Sequence, residues 1–231
     1  MENSCHTVER TVDPTNTVKI DPKDHGYNDV YKLMIGAVVP RPIAFVSSVD
    51  AKGTFNLAPF SYFTICGSNP PFAVFSPVHR GPNQPPKDTL RNVRETGDFV
   101  VNIVTEDFLP QMNLTAADYP PEMDEFVISG LSPIPSERVK APRVGEAPVQ
   151  MECTLKDVIT LSDKPGGGSL VIGEIVLIHI TKRVLADPDK SIFKIDPDKL
   201  KAVGRMGGPT YTRTRDHIDL ERPKWPPEAR K

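Results

Sequence analysis

Cysteine is scarce in this sequence: the three present, Cys5, Cys66 and Cys153, are far apart and odd in number. That excludes a disulfide framework and leaves no CxxC pair for a metal or redox site. Nor do the five histidines, His6, His25, His79, His179 and His217, show ligand-like spacing, so no metal centre is expected. Long apolar runs are missing too. The longest, residues 170–180, is broken by Glu174 and falls far short of the ~20 residues that cross a bilayer, so it is expected to be a buried strand, with no membrane as partner. Residues 1–20 lack the apolar core of a signal peptide, and a reducing, cytoplasmic location is the expectation. Charge of one sign is also absent: 28 Lys and Arg stand against 30 Asp and Glu. No chain-wide field exists to hold a polyanion, so nucleic acid is not an expected partner.

Proline, by contrast, is abundant. With 25 in 231 residues it stands at about twice the usual ~5%, which disfavours long helices and favours turns and edge strands. Residues 43–49 and 54–58 read as a hairpin around Asp50, Ala51, Lys52 and Gly53. A third strand is expected at residues 72–76. From Asp88, a capping residue, Leu90 and Val93 share a face and Gly97 stands where a helix C-cap belongs. Residues 99–104 return to strand, and Thr105 can cap a second helix towards Ala117, with Pro110 near its first turn. Residues 120–148 read as loop anchored by Phe126, Val127, Ile128 and Leu131. Val149, Met151, Cys153 and Leu155 alternate with polar residues, the pattern of a half-buried strand, and residues 170–180 would be its antiparallel partner. Many strands and only two helices describe a barrel or sandwich.

The usual chemical signatures are missing. Gly166, Gly167, Gly168 and Ser169 lack the lysine of a phosphate loop and lead into a strand, as a hairpin loop would. No GxGxxG joins a strand to a helix, and no GxSxG elbow or Cys–His pair is present. His179, within an apolar strand, reads as a satisfied core residue. What remains is a set of hydroxyls, amides and cations at strand ends. Lys87, Asp88 and Thr89 open the first helix, where free N–H groups favour an anion, although an ordinary helix start with a solvated Lys87 has the same sequence. Asn56, Ala58, Pro59, Phe60 and Ser61 offer backbone donors and a flat ring to a planar heterocycle, or form a packed strand-to-loop corner.

In order and spacing these residues resemble a known family. Arg41-Pro42-Ile43-Ala44-Phe45-Val46-Ser47, then Asn56-Leu57-Ala58-Pro59-Phe60-Ser61, then Pro86-Lys87-Asp88-Thr89-Leu90-Arg91-Asn92 look like the flavin reductase-like, FMN-binding split-barrel proteins that include the flavoredoxins. The likeness continues through Met112-Asn113, Asp124-Glu125-Phe126 and Gly173-Glu174 to Gly204-Arg205-Met206-Gly207-Gly208 and Tyr211. It implies a mainly β domain over residues 31–211, a six-stranded Greek-key split barrel, with an N-terminal lead at 1–30 and a Pro-rich arm at 212–231. It further implies a homodimer with FMN near the interface. The phosphate would meet Ser47, Ser48, Lys87 and Thr89; the ring would lie along residues 58–61 near Phe75 and Ser76, with Arg205 nearby.

The function so implied is FMN-dependent oxidoreduction, with NAD(P)H delivering hydride to the flavin and reduced flavin passing electrons to a second acceptor. The flavin carries the chemistry, and hydride transfer needs no acid or base from the protein. One alternative keeps the FMN but gives it an organic substrate, with His79, Arg80 or Tyr211 at the open face. Another makes the chain a non-enzymatic electron carrier.

Overall fold

Asp50 closes the first hairpin. In the computed structural model, which describes residues 15–81, 83–223 and 225, its carboxylate accepts the N–H groups of Lys52 and Thr54, both at 2.8 Å. These bonds, led by that of Thr54, hold its carboxyl below the ordinary range. The strands so joined, β1 (Ala44–Val49) and β2 (Phe55–Phe60), pair antiparallel from Ala44 opposite Phe60 to Val49 opposite Phe55. A strand not expected from the sequence, β3 (Phe63–Cys66), pairs with β4 (Phe72–Phe75). Then come α2 (Asp88–Thr96) and β5 (Asp98–Ile103), which returns beside β1. The long hairpin of β8 (Val149–Thr160) and β9 (Ser169–Ile180) completes the sheet.

Seven strands, one more than expected, therefore form a single antiparallel sheet in the order β2-β1-β5-β8-β9-β4-β3. Its edges, β2 and β3, are five strands apart in the sheet, yet only Ser61 and Tyr62 separate them in the chain. Two residues span only some 7 Å at ~3.5 Å each, so the sheet must curl until its edges nearly meet. The edges do not hydrogen-bond to each other, and the barrel is split at that corner.

Both faces of β1 are covered. Ala44 and Val46 join Phe75, Phe99, Val101 and Val171 in a core inside the curl, closed by Leu90 and Val93 of α2. Phe45 points the other way, into a second core with Leu57, Phe108, Met112 and Phe126. That second core lies under α3 (Leu109–Leu114) and α4 (Glu125–Ser129). On β9, Gly173 is required by close approach, since a Cβ there would sit 2.3 Å from Cζ of Phe99. Short ladders complete the chain: β6 (Pro133–Ile134) with β7 (Arg143–Val144), β10 (Leu185–Asp187) with β11 (Ser191–Ile195), then α5 (Pro197–Leu200) and β12 (Val203–Arg205) with β13 (Tyr211–Arg213).

Several local expectations need correction. An amphipathic helix, α1 (Tyr27–Ala37), starts inside the segment read as a polar lead, and the ring of Tyr27 packs on Gly166. The first turn of α2 begins at Asp88 with Lys87 in the cap position, while Gly97 closes it in the left-handed conformation at φ 77° as expected. Thr105 caps nothing: its buried hydroxyl has no partner, and the expected helix is a 3-10 turn (Glu106–Phe108) followed by α3, which stops before Ala117. Pro110 lies in the first turn of α3, where no N–H is needed. Of the four loop anchors, Phe126 and Leu131 are buried, Ile128 is half-buried, and Val127 is 79% exposed because it is on the outer face of α4. The strand at residues 170–180 is buried only in its first half; Val176, Ile178 and Ile180 face outward. Conversely, Glu152 on β8 is fully buried, where alternation had placed it in solvent. Its carboxylate accepts the N–H groups of Glu137 and Arg138 and meets Nε2 of His179 at 2.6 Å. The arm expected from residue 212 starts inside β13, where Thr212 and Arg213 pair with Gly204 and Val203; residues 217–223 and Trp225 are exposed and irregular. Pro226 and Pro227, like Cys5 and His6, lie outside the described residues. Among the described residues no helix is long and apolar enough to cross a membrane, and no cluster of candidate metal ligands occurs.

Candidate functional site

The corner where the barrel splits opens into a cavity of about 300 Å³, at the small end of the range for ligand pockets. One wall is β2 and the corner itself, with Asn56, Ala58, Pro59, Phe60, Ser61 and Tyr62. Opposite stand Ser76, just past β4, and the start of α2, with Lys87, Asp88 and Thr89. Tyr31 and Ile35 of α1, the segment 115–119 after α3, and Glu125 of α4 close the remainder. A larger hollow of about 600 Å³ lies by Pro110 and Tyr211, but its charged groups, Glu106 and Arg213, are paired with each other at 2.8 Å and leave no charge for a ligand.

The outer end of the cavity is cationic. Pro85 and Pro86 keep the chain extended up to Lys87, so α2 starts there with the N–H groups of its first turn lacking intrahelical acceptors. Nζ of Lys87 and Nη2 of Arg80 both reach Oδ1 of Asp118, at 2.5 and 2.6 Å. The Lys87 bond first, and then that of Arg80, holds the Asp118 carboxyl below its ordinary range. One carboxylate thus occupies the place between two cations that a phosphate group would suit.

The inner end is neutral and buried. Nδ2 of Asn56 donates to Oγ1 of Thr89 at 2.8 Å and to Oγ of Ser48 at 3.3 Å, and Nδ2 of Asn92 donates to the same Ser48 oxygen at 3.2 Å. Beside this network Oε2 of Glu125 accepts the N–H of Leu57 at 3.0 Å. Burial pushes the Glu125 carboxyl up to about 7 against the pull of that bond, with Asp88 and Asp124 adding to the rise.

The structure brings together at this cavity Asn56, Ala58, Pro59, Phe60, Ser61, Ser76, Lys87, Asp88, Thr89 and Arg80 of the sequence-derived candidates. The rest are placed elsewhere. Ser47 and Ser48 are neighbours on β1 and face opposite ways. Ser48 stands one layer behind Asn56, whereas Ser47 donates to the carbonyl of Pro142 and accepts from Asn102 on the far side. Phe75 is sealed in the core between Phe60 and Phe99, with ring centroids 5.0 and 5.3 Å away. His79 turns to Oγ of Ser169 at 2.8 Å. Arg205 and Tyr211 line a separate cavity of about 200 Å³ that shares Pro59, Ser61 and Ala116 with the first. Sequence reading missed Tyr31, Ile35, Asp118 and Glu125. Only Glu125 had a signal, the Asp124 cap of α4, whose carboxylate accepts the N–H of Phe126 at 2.8 Å.

Residues 35–193 match the Flavin reductase like domain, and the chain belongs to that family. Nitrilotriacetate monooxygenase component B from Bacillus cereus is 35% identical, with a TM-score of 0.82 over 88% of this chain and 98% of that one. The 2-nitrobenzoate 2-nitroreductase of Pseudomonas fluorescens is 34% identical, with a TM-score of 0.79 over 92% of this chain and all of that one. A Shewanella frigidimarina protein with a split barrel domain shares the fold at 22% identity and a TM-score of 0.74, covering 89% of this chain and 100% of that one. The split barrel is the fold of this chain.

Proposed function

We propose that the cavity at the split corner, of about 300 Å³, binds FMN and that the protein is an NAD(P)H-dependent oxidoreductase that passes electrons from the flavin to a second acceptor. The observation that carries this reading is the pair of cations, Arg80 and Lys87, converging on one oxygen of Asp118 at the start of α2. A terminal phosphate carries nearly two negative charges at neutral pH and accepts several hydrogen bonds, so it can replace that carboxylate with a net gain of charge pairing. The neutral wall of residues 56–61 then supports the ring, with Pro59 restricting the backbone in advance. Bound flavin supplies hydride acceptance and electron release; the chain supplies placement, charge complement and exclusion of water. The backbone N–H groups of Asp88 and Thr89, at the start of α2, complete the phosphate end, and Ser48 acts through Asn56. The domain boundaries near residues 31 and 211 belong to the same reading, with α1 extending the lower one to Tyr27.

A homodimer is part of the proposal. Val176, Ile178 and Ile180 form an outward apolar row on β9, with 38, 49 and 36% of their surfaces exposed. Such a row suits a two-fold contact. A cytoplasmic, flavin-reducing enzyme is consistent with the free, unpaired Cys66 and Cys153.

The absorption spectrum of the purified protein, before and after denaturation, tests the cofactor. A yellow protein releasing FMN is expected; a colourless one that takes up no added FMN contradicts the reading. Anaerobic mixing with NADH and NADPH then tests the activity. Rapid bleaching is the expected result, and bleaching only with a partner reductase would make the chain an electron carrier. A second reading, an organic substrate at the flavin, is favoured by the cavity that contains Arg205 and by the likeness to a nitroreductase of 2-nitrobenzoate.

A further inference from the structure

Beside the split-corner cavity, two arginines stand directly opposite each other on a short antiparallel bridge. Arg41 donates its N–H to the carbonyl of Arg205 at 3.0 Å and accepts that of Arg205 at 2.8 Å. Neither guanidinium pairs with a carboxylate among the described residues. Arg41 is buried, and its guanidinium is satisfied by neutral acceptors: the carbonyls of Ile35, Val38 and Met206 and the hydroxyl oxygen of Ser61. Its positive charge is therefore uncompensated. Arg205 lies 4.4 Å from the ring centroid of Tyr211, a stacking that orients its planar fork. Glu106, the carboxylate that fastens the segment after Tyr211, is already held by Arg213 and Arg215.

Two uncompensated cations beside a cavity create a field that favours an anion. The cavity of about 200 Å³ is below the size range of drug-sized pockets, which suits a single ring with one small substituent. Its lining has two characters. Ile43, Pro59 and Met112 form an apolar part, and Arg205, Asn113 and Ser61 a polar one. The Ser61 oxygen accepts from Arg41, which leaves its O–H free to donate to a ligand. Asn113 accepts the Tyr211 hydroxyl at 3.0 Å, so the polar side is held in place.

We propose that this cavity is a subsite for a small aromatic monocarboxylate, its carboxylate paired with Arg205 and the Ser61 hydroxyl and its ring against Met112, Ile43 and Pro59. Pro59 and Ser61 also line the split-corner cavity, so a ring bound here abuts the wall assigned to the flavin. A role as electron acceptor rests on the flavin reading; the binding itself does not.

Calorimetric titration of the full chain with benzoate and with its neutral isostere benzamide tests the subsite. Benzoate is expected to bind at least tenfold more tightly, and Arg205→Gln to weaken benzoate by roughly ten- to a hundredfold while leaving benzamide unchanged, the loss of one charge-assisted contact. Equal affinity for the two ligands, no benzoate binding, or an unaffected variant overturns the proposal. Should Arg205→Gln fail to fold by circular dichroism, the benzoate-to-benzamide ratio of the unaltered protein decides alone. FMN is titrated separately. Protein that selects benzoate but takes no flavin keeps the subsite and loses the proposed function, and protein that takes flavin without selecting benzoate does the reverse.

Discussion

At the outer end of the split-corner cavity, Arg80 and Lys87 are 28 and 33% exposed and meet a single, 63% exposed carboxylate. At the inner end, Asn56, Thr89, Ser48 and Asn92 are all buried and hydrogen-bond to one another, with the Arg91 guanidinium donating to Asn92 from outside the network at 3.1 Å. The outer ion pairs are screened by solvent and add little to stability, so they can be exchanged for a ligand at small cost. The inner hydrogen bonds cannot be given up cheaply, because each broken one strands a buried polar atom. One end is thus suited to capture and the other to shape.

Lys87→Ala is the sharpest way to break this contrast. It is expected to weaken FMN by roughly 1.5–3 kcal/mol, about ten- to a hundredfold in Kd, while moving the urea midpoint hardly at all. Asn56→Ala should do the opposite kind of damage. Removing the donor shared by Thr89 and Ser48 is expected to cost about 1–3 kcal/mol of folding stability in a urea titration.

Glu125 extends the contrast to pH. Its folded carboxyl titrates near 7, above the ordinary value of 4.5, so the folded state binds the extra proton between these values. Its contribution is fully present below about 4.5 and is lost as pH rises through about 7, with a slope of at most about 1.4 kcal/mol per pH unit. Urea titrations across that range should show stability falling towards neutral pH, and Glu125→Gln should flatten the trend. The smallest effect expected is from Asp118→Asn. Freeing the two cations from a competing carboxylate should tighten FMN by up to about fivefold, the worth of an exposed ion pair.

Elements with strong local chemistry were readable from sequence. The Asp50 turn, the Gly97 cap and the apolar β8–β9 run each carry their own cause, and so did the cavity residues of β2 and α2. The elements that escaped lack such causes. α1 has Gly26 at its cap with no side-chain cap bond, and a glycine, Gly36, inside it. β3 is an edge strand with Thr64, Ile65 and Cys66 exposed, so no alternation marks it. Glu152 looks like a solvent residue until three partners converge on it, two of them 14 and 15 residues away and one 27. Ser47 and Phe75 resemble site residues by position, yet in each case the next residue, Ser48 on β1 and Ser76 just past β4, is the one that faces the site side. Which face of a strand meets the cavity is decided by the curl of the whole sheet. Asp118 and Glu125 meet the site from separate loops and helices, 31 and 68 residues from their partners, a distance no local pattern spans.

The assignment of the cationic end to a phosphate is tested most directly by titrating the same protein with FMN and with riboflavin, which share a ring and differ in that one group. FMN is expected to bind at least tenfold more tightly, with the difference shrinking as salt is added and shrinking again in Lys87→Ala, where Arg80 is left as the one cation of the pair. Equal affinity for the two flavins in the unaltered protein would contradict the account.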